Sequence, residues 1–352
     1  MDSRYLLKHI SQAFILSIVF KMILCVPVLD KTKVSSGDNR ETKGIFDIIL
    51  NVNSKRNAGH PGDGIVGSIS DSVELFQADI VMTKNIKKAL NQGGTDEIDF
   101  KPQRRQKRAT SSDDVKKWPV VKGSRQVPFV IESSINGPVK KVIEDAMKHW
   151  TTNVPCITFV QRTNQKDYIS FFAGDGCFSW TGRIGGKQGV SMGSGCEIMG
   201  IAAHEIGHVL GFWHEQSRPD RDNYVTILWN NIKPGKELEF KKIINSGTDD
   251  LGVSYDYNSL MHYGPKYFSR SESLNTMVKR DGSIDFGKAT ALSPNDIEQA
   301  RLMYCPGTNA CASLYKDNHV HCPAWARLGY CKHTYKKYMD ISCKKSCVCG
   351  II

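Results

Sequence analysis

The first apolar stretch covers residues 10–26, is broken by Lys21, and follows Arg4, Lys8 and His9. It is too short and interrupted for a stable membrane span and carries the basic flank of a secretory signal. Residues 1–27 therefore read as a signal peptide, cut near residues 25–28. From 28 to about 70 the chain is polar and glycine-rich without a sustained period, so loose order is expected there. Residues 71–92 are better organised. At Val127-Pro128-Phe129-Val130-Ile131 an apolar run predicts a strand. Asn136-Gly137-Pro138 then opens a helix, with proline in its first turn and an apolar stripe of Val139, Val142, Ile143, Ala146, Met147 and Trp150. Strand-like runs follow at 156–160 and 168–172. A further helix crosses residues 204–210. The polar stretch 264–292 reads as loops, and Ser293-Pro294-Asn295-Asp296 opens a last helix reaching about Tyr304. This order predicts an α+β fold, a twisted sheet backed by helices.

Composition narrows the class. The chain has 352 residues, 40% hydrophobic and 24% charged, which is globular rather than disordered. Its net charge of +11 is uneven: residues 109–310 carry 23 Lys and Arg against 22 Asp and Glu. A nucleic-acid footprint would put the basic excess on that central region, so no nucleic-acid partner is expected. Of the 11 cysteines, Cys25 lies in the signal. The other ten fall as four in the central region and six between Cys311 and Cys349, even counts that suit disulfides and an extracellular location.

The chemistry concentrates at His204-Glu205-Ile206-Gly207-His208-Val209-Leu210-Gly211-Phe212-Trp213-His214-Glu215. Four residues apart on a helix, His204 and His208 project from one face and can share one Zn²⁺. Gly211 suits a helix end because glycine accepts the left-handed conformation, and the chain can then turn His214 back to the same ion. Three protein ligands leave one zinc position open, the arrangement of a catalytic site. Glu205 points off the ligand axis, where a general base could hold a water. A packed core explains three of ten histidines within eleven residues poorly.

This run is the metzincin signature, and with Gln216-Ser217-Arg218-Pro219-Asp220-Arg221-Asp222 it resembles the astacin family of secreted zinc endopeptidases. The resemblance implies an astacin-like catalytic domain over 109–306 with a zinc cleft and one Zn²⁺ held by His204, His208 and His214. Ser259-Leu260-Met261-His262-Tyr263 is similar to the family's Met-turn, which would put Met261 beneath the metal. Tyr263 would stabilise the oxyanion, Glu205 would be the base, and extended polypeptides the substrates. Residues 174–189 resemble the loop beside the sheet edge on which a substrate lies antiparallel.

Residues 28–108 read as a pro-segment. Phe76-Gln77-Ala78-Asp79 resembles a family motif whose aspartate silences the metal, with Ala78 where the family has glycine. Asp79 is thus the expected zymogen switch. Arg104-Arg105-Gln106-Lys107-Arg108 suits a furin-like or other activating protease cutting between Arg108 and Ala109. The family resemblance then implies a water-mediated link from the new amino terminus to Glu215.

The six-cysteine tail is too small to fold on a hydrophobic core alone. With Asp317, Trp325, Gly329 and Met339, residues 311–349 resemble the ShK toxin-like (ShKT) domain. The two resemblances imply Cys156–Cys305, Cys177–Cys196, Cys311–Cys349, Cys322–Cys343 and Cys331–Cys347 pairs. Cys347 and Cys349 stand one residue closer than the family's usual spacing. A matrix or surface partner would fall to this module. Lys337-Tyr338 resembles the toxin pair that plugs potassium channels, so the alternative function is a binding or channel-modulating protein with a subsidiary or inactive protease domain.

Overall fold

The computed structural model describes residues 44–55, 74–92, 97–99, 116–244, 250–305, 316–331 and 335–348. The expected signal, Arg108, Ala109, Cys311 and Cys349 lie outside these residues. No helix among the described residues is long and apolar enough to cross a membrane.

In chain order the N-terminal segment contributes α1 (Ile45–Ser54), β1 (Leu75–Phe76), β2 (Ile80–Val81), α2 (Lys84–Gln92) and β3 (Glu97–Asp99). α1 corrects the expectation of loose order before residue 70. Its stripe of Ile45, Phe46 and Ile49 is fully buried, so the surface that accepts them stabilises a helix too short to persist alone.

The central region opens with β4 (Val120–Val121), β5 (Ser124–Ile131) and α3 (Gly137–Asn153). The Asn136 side chain accepts from the Val139 amide at 3.0 Å, capping α3 where the sequence predicts the helix to open. β6 (Ile157–Gln161), β7 (Tyr168–Phe172), β8 (Cys177–Phe178) and β9 (Lys187–Met192) complete a six-stranded mixed sheet. Its order is β4-β5-β7-β9-β8, with β6 also on β5. β5, β6, β7 and β9 run parallel, whereas β8 closes the edge antiparallel to β9. α3 and α4 (Met199–Val209) back this sheet. Short strands β10 (Val225–Ile227), β11 (Lys242–Ile244) and β12 (Met277–Lys279) interrupt long loops before α5 (Pro294–Tyr304). β3 extends β11 in parallel, so the N-terminal segment adds a strand here too.

Cys156 is bonded to Cys305 and Cys177 to Cys196. The first closes a loop of 149 residues, a constraint of about 5 kcal/mol on chain entropy. In the tail, α6 (Cys322–Arg327), α7 (Lys336–Ser342) and α8 (Lys344–Val348) surround buried Met339, held by Cys322–Cys343 and Cys331–Cys347. Lys344 reaches Glu298 of α5 at 3.1 Å.

Candidate active site

α4 is buried on every side from Gly200 to Val209, its polar His204, Glu205 and His208 included. Its C-terminal carbonyls, which have no partner within the helix, are all claimed. Gly211, at φ 99°, donates to the His208 carbonyl at 2.7 Å, and Phe212 donates to that of Gly207 at 3.0 Å. Trp118 Nε1 donates to Val209 O at 3.0 Å and Tyr304 Oη to Leu210 O at 2.5 Å. Further back, Trp150 Nε1 holds Ala203 O at 2.8 Å. These donors fix the helix that presents His204, Glu205 and His208.

The Gly211 turn brings His214 to the other two histidines, with ring centroids 4.6 to 5.5 Å apart. Each Nδ1 faces an oxygen: Leu260 O for His204 at 3.0 Å, Phe212 O for His208 at 2.8 Å, and Gln77 Oε1 for His214 at 3.1 Å. With Nδ1 donating, each Nε2 is left as a lone-pair donor towards a common centre.

Asp79 occupies that centre. Its carboxylate oxygens lie 3.1 Å from His204 Nε2, 3.2 Å from His214 Nε2 and 3.5 Å from His208 Nε2. All four ligand atoms fall within 4.8 Å of one another and all four residues are buried. Burial would push the Asp79 carboxyl up, but the imidazoles, His214 foremost, hold it well below the usual range. Burial, the largest cause, lowers His204 and takes His214 down to about 3.

The donor set fits zinc. His208 Nε2, His214 Nε2 and Asp79 Oδ1 are buried without a hydrogen bond, as are both Glu205 carboxylate oxygens and Tyr263 Oη. So many converging unsatisfied groups are costly unless a cation engages them. Burial, then the Asp79 charge, raises the Glu205 pKa. The same two causes raise that of Tyr263, whose ring lies 4.8 Å from His214.

Met261 packs under α4 at Gly207, where a Cβ would stand 2.9 Å from its sulfur. Asp296 positions this turn. It accepts from Ser259 Oγ at 2.6 Å and the Leu260 amide at 2.8 Å, while also capping α5 through Ser293. Glu215 accepts from Arg218 at 3.2 Å and the Asp256 amide at 2.9 Å. It lines a cavity with Arg218, Asp220, Asp250 and Met303, and burial pushes its pKa up to about 8.

Several site residues carried no sequence signal. Phe46 of α1 sits edge-on against His204, His214, Tyr263 and Tyr267. Gln77, fully buried, also donates to Ser217 Oγ at 2.7 Å and Lys241 O at 3.3 Å. Buried Glu239 turns its carboxylate to the amides of Gln77 and Ala78. These two residues adopt φ 51° and 76°, the left-handed region, in the turn between β1 and β2. Val81 N donates to Ser179 O at 2.9 Å and Ser179 N to Asp79 O at 3.0 Å, in a parallel bridge beside β8.

A family model decides the kinship: that of the Astacin peptidase family matches residues 110–305. The chain belongs to the astacin family. A second model, ShK domain-like, matches residues 310–348. Among curated astacin relatives, tolloid-like protein 2 of Mus musculus is 41% identical over 220 residues, 60% of this chain and 21% of that protein. Blastula protease 10 of Paracentrotus lividus is 37% identical over 265 residues, 70% of this chain and 42% of that one. The chain thus spans about a fifth of the tolloid-like relatives' length. Among solved astacins, high choriolytic enzyme 1, a hatching enzyme zinc-protease from Oryzias latipes, superposes with a TM-score of 0.50 at 38% identity. The match covers 53% of this chain and 94% of that one.

Proposed function

We propose that this chain is a secreted, latent zinc endopeptidase that hydrolyses peptide bonds in proteins once its N-terminal segment is cut away. The supporting observation is the Asp79 carboxylate lodged among His204, His208 and His214. Residues 1–27 are the signal, 28–108 the pro-segment, 109–306 the catalytic domain and 311–349 the ShKT module. Four disulfides among the described residues, shared by both folded regions, suit an oxidising compartment.

The three histidines would hold the zinc, which supplies Lewis acidity that polarises the scissile carbonyl and eases deprotonation of water. Glu205, next to His204 with both oxygens unbonded, takes the water's proton and passes it to the leaving amine. The Tyr263 hydroxyl, also unbonded, donates to the oxyanion. A substrate would lie antiparallel at the edge near Ser179, satisfying backbone groups by strand addition. The pro-segment pairs there in parallel, so its peptide bonds face the site in the opposite polarity. Cutting after Arg108 would free the Ala109 amino group for a water-mediated link to Glu215.

The test is to cut the full chain after Arg108 and assay protein cleavage with and without a chelator. Chelator-sensitive turnover appearing only after the cut is expected. A cut, zinc-replete chain that cleaves no protein overturns the reading.

A further inference from the structure

The Phe46 side chain is 1% exposed and fills a pocket bordering the catalytic centre. Its walls are the rings of His204 at 4.4 Å, His214 and Tyr263 at 5.2 Å, and Tyr267 at 5.8 Å, centroid to centroid. The three smaller separations involve residues committed to the metal or the oxyanion in the reading above. Tyr267 is the one wall with no part in holding the metal or the oxyanion. Close backbone approaches lie beside α1 as well. Gly44 lies so near Gly287 O that a Cβ would stand 2.3 Å away, and one on Gly200 would meet Thr290 O at 2.5 Å. α1 covers all of this, and α1 departs with the pro-segment.

We infer that the uncovered pocket takes a large apolar side chain of the polypeptide substrate, aromatic by preference, and that Tyr267 is the specificity-determining residue. The inference rests on the protease reading. Rings meeting edge to face favour another ring in the same place, because the positive edge of one meets the negative face of the next. A carboxylate seated there would lose its hydration, and none of the four walls offers it a cation. Any substrate carbonyl brought to the three histidines must pass next to this pocket, since two of its walls are those histidines.

The test uses the full chain cut after Arg108 and freed of the pro-segment. Peptides alike except at one position are scanned across the residues flanking the scissile bond. At one position, Phe or Tyr should exceed Ala and Asp in kcat/KM by on the order of tenfold or more, the scale of hydrophobic-pocket discrimination. Tyr267→Ala should level that ratio, mainly through KM, while Tyr267→Phe keeps it. General protein cleavage with no aromatic preference, or with an acidic one, overturns the inference and leaves the protease reading standing. Because Tyr267 stacks on Tyr263, a second arm avoids turnover altogether. A synthetic peptide of residues 44–55 should bind the cut chain, and Phe46→Ala in the peptide should weaken it by a comparable factor. Equal binding by both peptides overturns the pocket, even if the chain cleaves nothing.

Discussion

The Asp79 carboxylate lies 3.1 Å from His204 Nε2 although 125 residues separate them along the chain. That carboxylate is fully buried, its oxygens 3.1 to 3.5 Å from the Nε2 atoms of all three imidazoles. Replacing it by alanine removes one member of a buried charged cluster, a loss of roughly 3–5 kcal/mol. In a chain made uncuttable by Arg108→Ala, Asp79→Ala should therefore raise proteolysis roughly a hundredfold or more. The check is cleavage of a labelled protein by the uncut chain, with gel analysis confirming that residues 28–108 remain attached.

Latency should also respond to the turn that aims Asp79. Ala78 sits at φ 76°, a conformation that costs a residue with a side chain about 1–2 kcal/mol relative to glycine. Ala78→Gly should lower the residual activity of the uncut chain by about fivefold. Gln77→Ala should act in the opposite direction, since it strips hydrogen bonds from His214, Ser217 and the Lys241 carbonyl at once. Residual rates of the three uncut chains, measured side by side, decide both.

Glu205→Gln separates catalysis from metal binding. The three histidine nitrogens are untouched, so zinc content by atomic absorption should stay near one per chain. Turnover after cutting should fall by about 10²–10⁴, the usual contribution of a general base. Retained turnover in a zinc-replete sample would remove Glu205 from that role.

Asp296 predicts a purely structural effect at a distance. Its carboxylate receives Ser259, Leu260 and Ser293 together, so it fastens the turn carrying Met261 to the start of α5. Asp296→Ala leaves those buried donors unmatched and should cost about 2–4 kcal/mol. Thermal unfolding of the full chain should show the loss, and the turnover of what remains folded should change far less than in Glu205→Gln.

How legible these features were follows from their range. His204, His208 and the Gly211 stop were readable because helical spacing and a left-handed glycine are local properties, fixed within eight residues. The opening of α3 at Asn136-Gly137-Pro138 and the α5 cap at Ser293 were readable for the same reason. The identity of Asp79 as a candidate switch came from likeness to a family motif, since one aspartate in a polar stretch carries no periodic signal. Phe46 was missed because α1 is ten residues in a glycine-rich context. Its apolar stripe acquires meaning only against rings far along the chain. Gln77 was missed similarly: its partners lie 137 to 164 residues away. Asp296 was read as a helix-start residue, while its grip on Ser259 and Leu260 depends on tertiary docking.

The parallel bridge at Ser179 has a consequence for the proposed activation. While the segment from Asp79 to Val81 lies there, the margin of the sheet is shielded from other chains. Its departure, together with Phe46 and Phe76, bares an unpaired backbone rim beside freshly wetted oily surface, a combination that invites chains to stick edge to edge. Mature enzyme stored without a peptide in its groove should therefore cluster or digest itself with time, whereas the uncut precursor stays dispersed.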